Sequence, residues 1–517
     1  RLFGKQPYAR TPTALRCDHA ALDPSQRAAV QLCSDSDLAF LWGPPGTGKT
    51  VTLTHVVEEL LAQGQRILLA STTNAAIDQV LARLATRPWF EPGQVIRLGR
   101  STADTFGTEL GDVVTRFRGA HRDALARLRA RIGDVVQQLR FGEALCAELA
   151  PAVTTQQSLF AEPPPRLRAS ALARVFSEGL ADELAREGPQ VQLRALERRL
   201  ARLERDRALA KAKVAEHAAA DRDLEAQLVT NARLVTCTLT NAYLAPVMAD
   251  QRFDVLIAEE AGMATLPALF YAACLCERRA IVVGDPRQLP PIVQSNDELV
   301  RRAIGRNVFE VAIPDPTDSP VVAMLEVQYR MHPAIGALVG GLFYRGKLLH
   351  RAAGTEAIAA RAPHPGAPIV VVDTVGRTSC ERSAKGSSRI NPASARITAD
   401  LAAEAAGAGH TSIGVITPYA AQAAEIRELL AARGLADAVE CSTIHRFQGR
   451  ECDVVILDLV DAAPMRPSAL LADAPNLLNV SISRARGKLV IVADVAYFTT
   501  HAPDGIVATA LRAALAT

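Results

Sequence analysis

The sequence is poor in aromatic residues and contains no long apolar run. Aromatic side chains make up 4% of its 517 residues, so we expect no site built from many stacked rings. No run of about 18 apolar residues without charge is present, which excludes a membrane-spanning helix of ordinary length. The sequence therefore predicts no membrane partner.

Neither charge nor cysteine is concentrated in the chain. The 58 basic and 55 acidic side chains give a net charge of +3, which neither requires nor excludes nucleic acid, because a local basic groove suffices for backbone binding. Nine cysteines are scattered, and the close pair Cys274 and Cys276 has no second pair at zinc-like spacing. This pattern predicts reduced thiols in a cytoplasmic protein.

What the sequence does have is enough apolar content, 49%, for a globular chain. Its length is too great for a single core and predicts two to four domains. The chain opens on Arg1 rather than Met. We therefore expect native sequence, such as a further N-terminal domain, to precede it, and we expect a monomer.

A strand, a glycine-rich loop, a helix and a second strand follow one another between residues 38 and 69. "LAFLW" and "RILLAS" are apolar, and "VTLTHVVEELLAQG" between them has helical spacing. This βαβ unit predicts a parallel sheet. Similar apolar runs recur at "FDVLIA", "RAIVVG", "PIVVVD", "SIGVITP", "DVVILDLV" and "KLVIVAD", several with polar residues at their C-terminal ends. Ligands of open α/β sheets bind at that edge.

Between about residues 111 and 228 the composition changes, and Arg, Ala, Glu and Leu dominate. Apolar residues recur at alternating spacings of three and four, which predicts two long helices packed as an antiparallel hairpin. The seams are Leu125, Leu128, Ile132, Val135 and Leu139, and Leu193, Leu196, Leu200 and Leu203. The charge-rich faces are most simply solvated surface, and a direct contact with nucleic acid is the alternative.

The loop "GPPGTGKT" fits the phosphate-loop pattern and stands between a strand and a helix. Its glycines let backbone N–H groups curl around phosphates, Lys49 can reach the β and γ phosphates, and Thr50 can hold Mg²⁺. The loop residues are Gly43, Pro44, Pro45, Gly46, Thr47, Gly48, Lys49 and Thr50. By itself this motif predicts only nucleoside triphosphate binding, which leaves GTPases, kinases, transporters and motors open.

Further sequence motifs narrow the choice among these protein classes. They are "LDPSQRAAV", "LLASTTNAAIDQVL", "LVTCTLTNA", "VVGDPRQLPPIV", "LEVQYRMHP", "VITPYAAQ", "STIHRFQGRECDVVIL" and "LNVSISRARGKLVIV". In this order they resemble the superfamily 1 helicases, in particular the branch typified by the eukaryotic RNA-decay helicase and its bacterial relatives, which moves 5′ to 3′. The resemblance covers both ends of the chain and leaves only the helical insertion outside it.

The resemblance implies an α/β fold of two RecA-like domains, with ATP and Mg²⁺ bound between them and single-stranded DNA or RNA lying across both. We expect the first domain at residues 1–110 and 229–322, the helical hairpin insertion at 111–228, and the second domain at 323–517. The activity implied is an ATP-dependent helicase or translocase. An ATP-gated clamp or remodeller with weak hydrolysis and no unwinding is the alternative.

The resemblance also assigns the groups that would hold the adenosine part of ATP. Gln26 has an amide that can pair with the donor and acceptor edge of adenine, and the family uses a Gln there to select this base. Tyr329 resembles the residue that stacks on adenine. Glu451 resembles the contact to the ribose.

Four further residues would complete the nucleotide site. Asp285 and Gln288 follow the strand "AIVVG", and Gln288 resembles the γ-phosphate sensor of the family. Arg330 and Arg484 resemble arginine fingers, which stabilise the charge of a transferring phosphoryl group. Since both arginines belong to the second domain, the resemblance implies a site that is complete only when the domains meet.

For the nucleic acid, the motifs offer hydroxyls, amides and backbone N–H groups rather than a run of lysines. Such groups bind phosphate oxygens without reading bases. The candidates are Thr73, Asn74, Thr238, Pro418, Tyr419 and Thr443.

Two glutamates follow the apolar run "DVLIA", where an ATPase normally has Asp-Glu. Glu260 would position or deprotonate the attacking water, and Glu259 would hold Mg²⁺ through a water. The extra methylene of Glu259 moves its carboxylate by about 1.5 Å, but Mg²⁺ keeps several waters that absorb part of this difference. We expect an active ATPase, and a nucleotide-binding pseudo-ATPase is the alternative.

Overall fold

The computed structural model describes residues 10–101, 107–117, 119–154, 166–295, 297–313, 316, 319–383, 386, 388–447, 449–468 and 474–517. The chain divides into two compact units. One is built from Arg1–Glu109 with Ala232–Thr517, and the other is Leu110–Asn231.

Helices and strands alternate along most of the described residues. The α-helices there are α1 (Pro24–Asp35), α2 (Lys49–Ala62), α3 (Asn74–Leu84), α4 (Leu110–Phe117), α5 (Gly119–Thr154), α6 (Ala169–Leu172), α7 (Glu178–Arg186), α8 (Pro189–Asn231), α9 (Leu239–Leu244), α10 (Leu266–Cys274), α11 (Glu298–Ile304), α12 (Val308–Ala312), α13 (Pro333–Phe343), α14 (Thr355–Ala359), α15 (Pro392–Gly407), α16 (Ala420–Ala432), α17 (Pro475–Ile482), α18 (Val495–His501) and α19 (Ile506–Leu515).

The strands, in chain order, are β1 (Leu38–Trp42), β2 (Ile67–Ser71), β3 (Val95–Leu98), β4 (Leu234–Thr238), β5 (Phe253–Glu259), β6 (Cys276–Gly284), β7 (Val322–Met324), β8 (Val327–Gln328), β9 (Leu349–His350), β10 (Ile369–Asp373), β11 (Glu381–Arg382), β12 (Arg389–Ile390), β13 (Ile413–Thr417), β14 (Val439–Thr443), β15 (Cys452–Asp458) and β16 (Ala485–Ala493).

Seven of these strands form a parallel sheet in the order β3-β4-β2-β5-β6-β1-β7. All five residues of β1 and of β2 are buried, as near-continuous apolar runs require when helices cover both faces of a sheet. Leu53 and Val57 of α2 pack with Leu69 and Ile257 in its core. We call the residues that carry this sheet, 10–109 and 232–325, the first half of their unit.

Five strands form a second parallel sheet in the order β10-β16-β15-β13-β14. Its core joins Val415, Ile456 and Val490 of the central strands to Ala399 and Ile426 of the covering helices α15 and α16. We call residues 326–517 the second half. The predicted α/β class with two parallel sheets is thereby confirmed.

Two boundaries differ from those expected. The strand β7 pairs with β1, from Phe40 opposite Val322 to Trp42 opposite Met324, so the first sheet extends past the expected boundary at residue 322. The helical unit spans 110–231 where the periodicity predicted 111–228. The predicted end at Leu228 is short by one turn, since α8 continues through Val229 and Thr230 to Asn231.

The helical unit has its own small core between α5 and α8. Val135 and Leu139 of the first predicted seam are buried with Leu196 and Leu203 of the second, as periodic apolar spacing requires. Leu128, Ile132, Leu193 and Leu200 are half-buried. The side chain of Leu125 lies outside the described residues.

Two expected features can be compared directly with the structure. The nine cysteines are all free thiols, as the sequence predicts. Among the described residues, no helix combines the length and the apolar character that crossing a membrane requires.

Candidate functional site

The phosphate loop connects β1 to α2. Gly46 and Gly48 have φ values of 74° and 76°, in the left-handed region that suits glycine. A Cβ on Gly43 would lie 2.0 Å from Cγ of Lys49, so this position also requires glycine. Lys49 begins α2, and its Nζ donates to the Gly43 carbonyl at 2.6 Å. The loop thus gathers backbone N–H groups, a helix N-terminus and an ammonium group, which together fit a polyphosphate.

Gln26 and Tyr329 lie beside this loop. Gln26 closes a capping box at the start of α1, where its Oε1 accepts from the Asp23 backbone N–H at 3.2 Å, and its Nε2 donates to the Thr47 carbonyl at 3.1 Å. The Tyr329 hydroxyl donates to Oδ2 of Asp23 at 3.0 Å. The structure therefore brings both predicted adenine contacts together, and both polar ends of the Gln26 amide already have protein partners.

The segment that carries Arg330 packs on the phosphate loop from the second half. The Tyr329 N–H donates to the Gly46 carbonyl at 2.9 Å, and a Cβ on Gly46 would lie 2.6 Å from Cβ of Arg330. The Arg330 guanidinium forms an ion pair with Glu451 and donates to the Ser483 carbonyl at 3.4 Å. The predicted ribose contact, Glu451, thus neutralises a predicted arginine finger in this structure.

Arg484 meets the predicted γ-phosphate sensor. Its side chain is buried, and its Nη2 donates to Oε1 of Gln288 at 3.1 Å. Burial and the nearby charge of Arg330 lower the pKa of Arg484 to about 10, so it remains a cation near neutral pH. Gln288 Nε2 donates to Oδ2 of Asp285 at 2.7 Å, which fixes the orientation of the amide. The amide oxygen of Gln288 is therefore directed at the second half.

The Asp285 carboxylate accepts four hydrogen bonds from protein groups. Oδ1 accepts from Trp42 Nε1 at 2.9 Å and from the Arg287 N–H at 3.0 Å. Oδ2 accepts from Gln288 and from the Tyr344 hydroxyl at 2.6 Å. The sequence placed Asp285 among the nucleotide contacts. These four bonds fix the carboxylate, and through the bond to Nε2 it orients Gln288.

The two glutamates occupy different environments at the end of β5. Glu259 is buried and accepts from Ser71 Oγ at 2.9 Å. Burial and the neighbouring Glu260 charge raise the pKa of Glu259 to about 8, so a cation that binds this carboxylate would displace a proton. Glu260 is partly exposed and has φ 52° and ψ 36°. Left-handed backbone costs a non-glycine residue about 1–2 kcal/mol, and such strain concentrates at active sites.

The donor set suits Mg²⁺ held partly by substrate. No group of three or more His, Cys, Asp or Glu side chains that could hold a metal ion is present in the described part of the chain. Thr50 stands in the first turn of α2, and the charge of Lys49 acts on Glu259. One hydroxyl and one carboxylate fit an ion that keeps its waters and binds phosphates, as Mg²⁺ does.

The predicted strand contacts of the first half lie at one edge of its sheet. Ser71 of β2 is the register partner of Thr238 of β4, and Thr73 follows two residues later. The hydroxyls of Thr73 and Thr238 cap the starts of α3 and α9. Asn74 Oδ1 accepts from Nη2 of the buried Arg97 at 2.7 Å. Hydroxyls and helix N-termini therefore meet at this edge, and Arg97 orients the amide among them.

The second sheet brings together most of its predicted contacts. Thr417, which precedes Pro418, is the register partner of Thr443 at the end of β14. The side chain of Tyr419 is buried, and its hydroxyl donates to Oδ1 of Asp461 at 2.8 Å. The Tyr419 hydroxyl therefore supports the loop, and Pro418 and Thr443 remain at the edge.

Sequence reasoning missed the polar groups that hold the predicted residues in place. Trp42 and Tyr344 bind Asp285, Asn479 binds Tyr344, and Arg97 binds Asn74. Arg97 had a usable signal, since a charged residue in the short apolar strand "VIRL" must find buried partners. The other three had none, because their partners are distant in sequence.

Comparisons with known proteins give one family. A family model described as "AAA domain" matches residues 21–296, and a second model with the same description matches residues 305–496. DNA-binding protein SMUBP-2 of Rattus norvegicus is 28% identical over 94% of this chain and 44% of its own length. DNA polymerase alpha-associated DNA helicase A of Schizosaccharomyces pombe is 26% identical over 92% of this chain and 63% of its own length.

Another curated relative and a solved structure also match. ATP-dependent helicase NAM7 of Saccharomyces cerevisiae is 27% identical over 92% of this chain and 42% of its own length. Among solved structures, the complex of Arterivirus nonstructural protein 10 (helicase) with DNA aligns over 93% of this chain and 64% of that chain, with 12% identity and a TM-score of 0.36. The chain spans about half the length of the curated relatives named here.

Proposed function

Because the chain belongs to the AAA-domain superfamily 1 helicases, in the branch of the RNA-decay helicase, we propose that it is an ATP-dependent helicase or translocase that moves 5′ to 3′ along single-stranded DNA or RNA. The observation that carries this proposal is the bond from Arg484 of the second half to Gln288 of the first. This bond supports the proposal because it joins a buried cation of the second half to the residue of the first half that we propose as the γ-phosphate sensor.

The residues divide the work of hydrolysis among them. The phosphate loop and Lys49 bind the phosphates, Glu260 orients a water and accepts its proton, and Arg330 and Arg484 stabilise the charge that develops on the transferred group. When bound, Mg²⁺ would neutralise phosphate charge, and Thr50 and Glu259 are the residues that would hold it.

Hydrolysis would be coupled to movement because the two halves share the site. Arg330 and Arg484 reach the nucleotide only when the halves meet, so binding and release of ATP change the relation between the two sheet edges. Thr238 of the first edge and Thr443 of the second are the kinds of group that hold a phosphate backbone without reading its bases. A near-neutral chain can therefore track a strand of any sequence.

We infer that it acts as a monomer in the cytoplasm, where its free thiols stay reduced.

A clamp or remodeller with weak hydrolysis is the second candidate. The observation that favours it is Glu259, whose extra methylene and raised pKa both disfavour a tight metal contact. The two candidates differ in turnover and in strand separation, not in ATP binding.

We expect single-stranded DNA or RNA to raise ATP turnover by at least about tenfold, because strand binding favours the joined halves that complete the site. Steady-state ATPase assays with and without each strand measure this effect. Partial duplexes with a 5′ or a 3′ overhang test the direction of movement, and only the duplex with the 5′ overhang should be unwound. ATP turnover indifferent to either strand would exclude a translocase.

We expect Glu259→Asp to preserve or raise ATP turnover and Glu259→Ala to lower it by at least about tenfold. Both acids carry the same charge to Mg²⁺, and Asp restores the spacing usual in ATPases. Ala removes the charge and leaves the ion to the phosphates, Thr50 and water. A Mg²⁺ titration of ATPase activity with the three proteins side by side provides the measurement. Equal behaviour of wild type and Glu259→Ala at every Mg²⁺ level, with Glu259→Asp far more active, would favour the clamp.

A further inference from the structure

The Tyr344 hydroxyl lies between the two halves at a place that the proposed hydrolysis does not use. Tyr344 directly follows α13, and its side chain is 1% exposed. Its hydroxyl donates to Oδ2 of Asp285 at 2.6 Å and accepts from Nδ2 of Asn479 at 2.8 Å. Asn479 belongs to α17, which leads directly to Arg484. One hydroxyl thus joins the loop of the γ-phosphate sensor to the helix that presents an arginine finger.

Both ends of this connection are anchored in the first half. Nδ2 of Asn479 donates to the Arg287 carbonyl at 2.8 Å as well as to Tyr344. Oδ2 of Asp285 is the same oxygen that accepts from Nε2 of Gln288. Tyr344 and Gln288 therefore share one acceptor atom, and a shift of either donor changes the bond that the other makes.

The protonation and orientation of these groups are determined by their surroundings. Burial and the charge of Asp285 raise the pKa of Tyr344 well above its ordinary value, so the hydroxyl stays a donor. Nδ2 of Asn479 faces two oxygens, and a reversed amide would place its oxygen against the Arg287 carbonyl. In the orientation shown, Asn479 Oδ1 is buried without a hydrogen-bond partner among the described residues. Leaving a buried polar atom unpaired costs free energy. The two hydrogen bonds donated by the Asn479 amide nitrogen must offset this cost, so these bonds hold the side chain in place.

We propose that Tyr344 and Asn479 are positioning residues that keep the Gln288 amide oxygen directed at Arg484. This inference rests on the proposed function, since it concerns the same ATP site. Tyr344 holds Oδ2 of Asp285, Asp285 holds Nε2 of Gln288, and the amide oxygen then meets the guanidinium. The position of the second half is in this way transmitted to the sensor of the first.

Tyr344→Phe removes the hydroxyl and keeps the ring, and we expect it to lower kcat for ATP by about tenfold, the usual effect of one lost hydrogen bond to a charged group. The KM for ATP should change by less than about twofold, because the loop and Lys49 are untouched. Asn479→Ala should lower kcat similarly. In the double variant, kcat should fall by less than the product of the two single losses. The reason is that both residues act through the Tyr344 hydroxyl oxygen.

Tyr497→Phe is the matched control. Tyr497 is also buried in the second half, and its hydroxyl donates to the Met465 carbonyl at 2.7 Å, away from Asp285. Thermal unfolding of both variants measures the structural cost of a lost tyrosine bond, and only Tyr344→Phe should lower kcat. Equal kcat values for the two variants beside an active wild type would overturn the inference alone. No ATP turnover by the wild-type chain would overturn the proposed function and this inference with it.

Discussion

Glu260→Gln should stop ATP hydrolysis while ATP still binds. The amide has nearly the size of the carboxylate but cannot accept the proton of the attacking water, and general base catalysis contributes about 10²–10⁴-fold to such reactions. We therefore expect turnover to fall by about that factor with little change in nucleotide affinity. Single-turnover phosphate release and equilibrium binding of ATP measure the two quantities separately.

Lys49→Ala gives the contrasting result. Lys49 begins α2 and folds back onto the Gly43 carbonyl, so its ammonium group lies within the loop that would bind the phosphates. Its loss should weaken ATP binding itself, because the β and γ phosphates lose their cation. Full turnover in Glu260→Gln would show that another group is the base. Equal ATP affinities in Lys49→Ala and wild type would show that the loop is not the phosphate site.

The parts of the fold that are local in sequence could be predicted. "GPPGTGKT" between an apolar run and a helical pattern specifies a strand, a loop and a helix, because glycine conformations and apolar spacing act over a few residues. The order of strands in the first sheet could not be predicted, since β4 inserts between β3 and β2 only through crossovers that no local pattern encodes. The short strand Val322–Met324 was missed for the same reason, because its pairing with β1 is a tertiary contact.

The candidate site divides in the same way. The roles proposed for Lys49 and Glu260 could be predicted from residues close to them in the sequence, namely the glycine-rich loop and the apolar strand. Asp285 and Tyr419 also follow apolar strands, yet their side chains are used by partners distant in the chain, Tyr344 and Asp461. A polar residue at the ligand edge of a sheet binds either the ligand or a neighbouring side chain, and its tertiary contacts distinguish these two roles.

Arg484→Lys and Arg330→Ala should each lower ATP turnover by at least about tenfold, and by up to about 10³-fold if the arginine acts on the transferring group. Lys keeps the charge of Arg484 but loses the fork that reaches Gln288, and it avoids the cavity that Ala would leave in a buried site. ATP affinity should change less than kcat, because the phosphate loop that we propose as the main ATP contact belongs to the first half. Steady-state kinetics with saturating strand, together with ATP binding, separate the two effects.

Arg486→Ala is the matched control for these arginines. Arg486 lies two residues after Arg484, in β16, with its side chain 44% exposed and paired with Asp453 at 2.9 Å. An exposed pair of this kind contributes little to stability, so its loss should leave kcat and ATP affinity near those of wild type. Normal turnover in both Arg484→Lys and Arg330→Ala would mean that the meeting of the two halves is not the catalytic arrangement. A loss in both, with a normal Arg486→Ala, would instead support a direct role of the second half in the reaction, because removal of an exposed guanidinium two residues from Arg484 has no such effect.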